Sequence, residues 1–247
     1  MDSMEPGAPH PYGADDIALQ GEFFAPTAPS DGRAVLVVHE ADGIGGNVRR
    51  HCHRLAARGY SVLAADMHGA GRPLEGAAMQ AALDRFRAQS DLVRGRVAAG
   101  LAALRAATGI DTSRCAAIGF CFGGFAVLEL ARAGSDVAAV ASFHGLLTTA
   151  RPATPGSVRA RVAAFTGARD PLVPPADVAA FAAEMIVAEA DWQLHAYGNA
   201  RHGFTNAAVD GLGDPRMAYD ARAHRQSWNT LLAFLDESLG THSPTCR

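Results

Sequence analysis

Short, almost unbroken apolar runs alternate along this chain with longer alanine-rich stretches in which apolar positions return every three or four residues. The runs are Val35 to His39, Ser61 to Asp66, Cys115 to Phe120, Ala138 to Phe143, Arg161 to Gly167 and Trp192 to Tyr197. They do not alternate apolar with polar positions, as strands do when one face meets water. Continuous apolar strands belong to parallel sheets covered on both faces. Helical spacing is carried by Asn47 to Arg58, Ala77 to Ala107, Gly123 to Ala133, Pro175 to Glu189 and Ala218 to Leu239. This alternation predicts an α/β fold: a doubly wound, mostly parallel sheet with helices on both faces, binding its ligand beyond the carboxyl ends of the strands. One domain over residues 16–240 is expected, with flexible tails at 1–15 and 241–247 and no repeat or linker between.

Composition narrows the function classes. A chain of 247 residues with 49% hydrophobic content suits one large core. Lys and Arg number 22 against 25 for Asp and Glu, so no basic surface advertises nucleic acid or an anionic membrane. No apolar run is long enough to span a bilayer, and the substrate is expected to be a small molecule. The start, Met1 to Asp16, lacks the basic-then-apolar order of a secretory signal. Cysteines at 52, 115, 121 and 246 make no disulfide framework, so a reducing cytoplasm is the expected compartment. Monomer and homodimer both remain open.

The chemistry concentrates in Cys115-Ala116-Ala117-Ile118-Gly119-Phe120-Cys121-Phe122-Gly123-Gly124, a strand-like run that breaks into glycines around one cysteine and continues as a helix. That is the pattern of a nucleophile elbow, in which glycines flank a reactive residue on a strained strand-to-helix corner. The amino end of the helix favours a thiolate at Cys121. A thiol nucleophile needs a base, and the base needs a partner that fixes its tautomer. Asp170 falls in the loop after the run Arg161 to Gly167, and His202 in the loop after Trp192 to Tyr197. All three side chains are thus expected at one rim. Nucleophile, acid, histidine is the order of an α/β-hydrolase triad. The loop after the first run, His39-Glu40-Ala41-Asp42-Gly43-Ile44-Gly45-Gly46, should supply a second backbone donor, making Ala41 and Phe122 the candidate oxyanion-hole amides.

Those motifs, with Gly167-Ala168-Arg169-Asp170-Pro171-Leu172-Val173-Pro174 and His202-Gly203-Phe204, make the chain resemble the dienelactone hydrolase family over about Val35 to Leu239. The resemblance implies an α/β-hydrolase fold, Cys121 as nucleophile, His202 as general base and Asp170 as its orienting acid. It also implies an accessory role for Glu40, whose counterpart lies beside the resting cysteine and moves as the thiolate forms. A single departure bears on the substrate. Family members that act on dienelactone hold its carboxylate with arginines, and Asn206 stands where one of them is expected. Asparagine cannot form a bidentate carboxylate clamp. The other clamp position falls near Gln80, with Arg85 and Arg87 close by as candidate substrate-binding residues. The expected reaction is hydrolysis of a small carboxylic ester or lactone other than dienelactone, through a thioester, with neither cofactor nor metal. A thioesterase or amidase, or a catalytically silent binding protein on the same scaffold, are the alternatives.

Other residues read as structural. His51-Cys52-His53 places neighbours on different sides of a helix and is expected on its surface, not around a metal. Cys115 reads as core. His68 and His144 follow strands and should lie near the active rim, and Arg201 should point away from the pocket.

Overall fold

The computed structural model describes residues 4–14 and 16–240. Its eight strands are β1 (Ala8–Ala14), β2 (Ile17–Phe24), β3 (Ala34–Val38), β4 (Ser61–Ala65), β5 (Cys115–Phe120), β6 (Ala139–Phe143), β7 (Arg161–Gly167) and β8 (Trp192–Tyr197). They form one sheet in the order β1-β2-β4-β3-β5-β6-β7-β8. From β4 to β8 every pairing is parallel, whereas β1–β2 and β2–β4 are antiparallel. The helices are α1 (Gly46–Ala56), α2 (Gly76–Ala88), α3 (Ser90–Thr108), α4 (Phe122–Arg132), α5 (Pro175–Val187) and α6 (Ala221–Leu239).

Both sheet faces are covered, which explains the continuous apolar strands. Within β3, Val35 and Val37 point into a layer formed with Leu55 of α1 and Trp228 and Leu231 of α6. Leu36 and Val38 point the other way, toward Val97 of α3 and the apolar side of α4. The α4 layer also buries charge. Glu129 is fully buried and receives Arg94 at 2.8 Å and Arg132 at 3.1 Å, while Arg132 also pairs with Glu184 at 2.8 Å. Each charge is answered there, as burial demands.

Four expectations need correction. Residues 8–14, assigned to a flexible tail, form edge strand β1, paired along its length from Ala8–Phe23 to Ala14–Ile17. An edge strand bonds on one side only, so it tolerates Pro9 and Pro11 and carries little apolar signal. Residues 1–3, 15 and the expected tail 241–247 lie outside the described residues. The single helix expected from Ala77 to Ala107 is two, broken at Gln89, whose backbone (φ −122°, ψ 80°) is not helical. The break lets Phe86 of α2 reach over the active rim to Phe122, ring centroids 4.9 Å apart, while α3 lies along the sheet. The last helix starts at Ala221, not Ala218, because the Asp220 carboxylate accepts the Arg222 and Ala223 N–H groups. Finally, His51 and Cys52 are buried, not on a helix surface: α1 and α6 pack beside one another on the same sheet face, and His51 packs on Phe120 and Trp228.

Candidate active site

The carboxyl ends of β3, β5, β7 and β8 converge on one rim, and each delivers one piece of the site. At the end of β5 the chain turns sharply into α4 through Cys121, whose φ of 53° and ψ of −115° lie in a region that favours glycine. That turn is possible because its neighbours are small. A Cβ on Gly119 would lie 2.1 Å from the Gly123 carbonyl oxygen, and one on Gly123 would lie 2.2 Å from that of Val38. The Cys121 N–H is held by the Phe143 carbonyl at 2.9 Å and by His144 Nδ1 at 3.1 Å. Because Nδ1 accepts, the His144 proton is on Nε2, which donates to the Thr205 hydroxyl at 2.8 Å. Both His144 and Thr205 are fully buried.

The three residues expected to act together are within hydrogen-bond reach. Cys121 Sγ is 3.0 Å from His202 Nε2, and His202 Nδ1 donates to Asp170 Oδ2 at 2.8 Å. Asp170 Oδ1 accepts the Leu172 N–H at 2.8 Å, so the carboxylate is fixed by its own turn. The His202 backbone is tied to the loop at Arg216–Ala218 through two hydrogen bonds, His202 N–H to Arg216 and Ala218 N–H to His202. Burial opposes a charge on this imidazole. The Cys121 sulfur and the Asp170 carboxylate outweigh it and push the pKa up to about 10, so the ring favours the imidazolium beside the sulfur.

Ala41 and Phe122 flank Cys121 along the cleft, and neither N–H donates to a protein acceptor among the described residues. Glu40 lies on the cleft wall, where its carboxylate accepts from Asn206 Nδ2 at 2.8 Å. Burial and the nearby Asp42 charge raise its pKa to about 7, against the opposing pull of Asn47, His202 and Asn206. The Asn47 amide nitrogen makes no hydrogen bond of good geometry among the described residues, so the Asn206 bond is the one that fixes the carboxylate. Asn206 therefore does something definite. It ties Glu40 to the loop after His202.

The cleft has two lobes that meet at Cys121, His202, Ala41, Met79 and Met217. One, of about 360 Å³, carries Glu40, Asp42 and Glu75 among apolar residues. The other, of about 260 Å³, is lined by Phe122, Phe125, Leu146 and Leu172, with Arg87 and Arg216. Of the two arginines singled out by sequence, Arg87 reaches this lobe and Arg85 lines neither, since residues two apart on a helix face different sides. Gln80 also lines the second lobe, whereas Arg201 points away and donates to the Pro215 carbonyl at 2.8 Å. Sequence reading missed Arg216. No local pattern marks it, because the loop after the 3₁₀ helix Ala207–Leu212 is brought to the rim by its bridge to His202.

A mostly parallel eight-stranded sheet with helices on both faces, and an elbow at the end of a central strand, define an α/β-hydrolase. Comparison with known proteins agrees: residues 19–239 match the model of the dienelactone hydrolase family. The chain belongs to that family and is a dienelactone hydrolase-like hydrolase. The solved structure m3DLH is 34% identical, with a TM-score of 0.88 over 94% of this chain and 98% of its own. A dienelactone hydrolase-like promiscuous phosphotriesterase, P91, from metagenomic libraries is also 34% identical, with a TM-score of 0.85 over the same shares. A Synechocystis protein named "Putative carboxymethylenebutenolidase" is 24% identical over 86% of this chain and 89% of its own length. No helix among the described residues is long and apolar enough to cross a membrane.

Proposed function

We propose that this protein hydrolyses a small, uncharged carboxylic ester or lactone through a thioester on Cys121. The observation that carries the reading is the line of contacts from Cys121 Sγ through His202 to Asp170, at 3.0 and 2.8 Å. The thiolate attacks the carbonyl carbon, and the resulting oxyanion is received by the Ala41 and Phe122 N–H groups. The imidazolium of His202 gives its Nε2 proton to the departing alkoxide as the thioester forms. Neutral His202 then takes a proton from water, hydroxide adds to the thioester carbonyl, and the acid leaves as the thiolate and imidazolium are restored. Asp170 holds Nδ1–H throughout, so Nε2 alone exchanges the proton.

Charge around the cleft supports an uncharged substrate. The larger lobe has three carboxylates and neither lysine nor arginine in its lining, its one basic residue being His202, which is paired with Asp170, and Asn206 is bound to Glu40 in place of offering a clamp. The arginines of the smaller lobe are partly engaged, Arg216 pairing with Asp214 at 2.6 Å. Cys52, Cys115 and Cys121 are free thiols, which supports a reducing, cytoplasmic setting. The test is a panel of neutral lactones, aryl esters, thioesters, amides and a phosphotriester, run on the parent and on Cys121→Ala. Turnover of a neutral ester or lactone should be lost in the variant, and mass spectrometry of the quenched parent should find the acyl group on Cys121. Turnover surviving in Cys121→Ala would overturn the mechanism. Binding of these compounds without turnover would favour a silent binding protein.

A further inference from the structure

A backbone N–H stabilises an oxyanion only if its peptide plane is held in place beforehand. In a trans peptide the C=O and N–H point in opposite directions, so the partners of the Glu40 carbonyl decide where the Ala41 N–H points. Those partners are the Gly43 N–H at 3.3 Å and the His39 ring at Nδ1, 2.6 Å away. His39 is fully buried between the ends of β3 and β4, its ring centroid 4.7 Å from that of His68 and 5.9 Å from that of Phe122. Its tautomer is set from the far side. The Met67 backbone N–H, which can only donate, points at Nε2 from 3.0 Å, so the ring proton is on Nδ1 and faces the Glu40 carbonyl. The Met67 N–H cannot easily turn away, because the carbonyl of its own peptide, that of Asp66, accepts from the Tyr12 hydroxyl at 2.9 Å. Burial and the neighbouring His68 lower the His39 pKa to about 3, which keeps the ring neutral and the tautomer constant. The next peptide is held in the same way: His68 Nε2 donates to the Ala41 carbonyl at 2.8 Å.

We propose that His39 is a positioning residue for the hydrolytic reaction, locking the Glu40–Ala41 peptide through its Nδ1 hydrogen bond so that the Ala41 N–H faces the oxyanion. The proposal rests on the Cys121 thioester reading given above. It differs from a merely structural role in what it disturbs. Losing the lock weakens a step that develops an oxyanion and leaves untouched a step that does not.

Two variants separate the two hydrogen bonds of the ring. In His39→Gln the side-chain amide reaches the Nε2 position and keeps an acceptor for Met67 while losing the Glu40 contact. His39→Asn keeps a donor at the Nδ1 position and loses the Met67 contact. Each is compared with the parent in two reactions of Cys121: acylation by an activated aryl ester, followed by its pre-steady-state burst, and alkylation by iodoacetamide, a displacement at saturated carbon that forms no oxyanion. The expected result is an acylation rate lower by about 10²–10³-fold in His39→Gln, alkylation within about twofold of the parent, and most of the acylation rate retained in His39→Asn. Equal losses in both reactions, or parental acylation in His39→Gln, would overturn the proposal. Failure of the underlying reading is visible separately, in the parent, as turnover that persists in Cys121→Ala.

Discussion

Replacing Glu40 with glutamine removes a carboxylate whose ionisation the fold resists, while its amide oxygen can still accept from Asn206. The folded pKa of about 7 stands above the ordinary value of 4.5, the main causes being burial and the Asp42 charge. An acid with a raised folded pKa contributes stability that is fully present below the unfolded value and lost as pH rises through the folded one. The parent should therefore lose stability between pH 5 and pH 8.5, with glutamine as a reference that does not titrate. Two-state linkage with these two values gives a swing of about 2.5 kcal/mol in favour of Glu40→Gln on going from pH 5 to pH 8.5, an upper figure because solvent reaches the cleft wall. For a chain of this length that is about 5–10 °C in the difference of Tm. Differential scanning fluorimetry of both proteins at the two pH values, with urea titration as a cross-check, reads the quantity directly. A difference that is the same at both pH values, or one that moves in favour of the parent as pH rises, would refute the assignment of a strained carboxylate to Glu40.

Asp170→Asn should keep the fold and lose about 10³–10⁴-fold in kcat for a neutral ester, because the imidazole is no longer held in the right tautomer; retention of most activity would mean another group orients His202. Glu129→Ala leaves the Arg94 and Arg132 guanidinium groups facing a buried vacancy, and should cost about 3–5 kcal/mol, read as a Tm lower by about 6–20 °C. A carboxylated substrate should show kcat/KM at least about tenfold below that of its neutral match, since charge-assisted bonds worth about 1.5–3 kcal/mol are missing. Asn206→Arg alone should narrow that gap little, as the new guanidinium would pair with Glu40, and the Asn206→Arg, Glu40→Gln double variant should narrow it further; a parent that prefers the carboxylated partner would show that Arg87 or Arg216 acts as the clamp.

Much of the sheet and the line Cys121, His202, Asp170 was legible in the sequence because the signals are local. A strand buried on both faces must be apolar at every position, as in Ala34–Val38, and a strained elbow must have small residues beside it, as Gly119 and Gly123 show. Strand ends and chain order then place the acid and the histidine on one rim. What the sequence leaves undetermined are features imposed by a second segment. Edge strand β1 exists because β2 offers it hydrogen bonds, not because Ala8–Ala14 is apolar. His51 is buried because Trp228 of α6, beside α1 on the sheet, packs against its ring, and the helix expected from Ala77 to Ala107 is broken at Gln89, with Phe86 just before the break packed on Phe122 of the rim. Arg216 reaches the cleft only through the bridge of its loop to His202. The same holds for His39. In the sequence it is a histidine before a glutamate; only the backbone of Met67, 28 residues away, puts its proton on Nδ1, toward the Glu40 carbonyl. Hydrophobic pattern and backbone strain are properties of neighbouring residues, whereas the burial, tautomer and partner of a polar side chain depend on what packs against it from elsewhere in the chain.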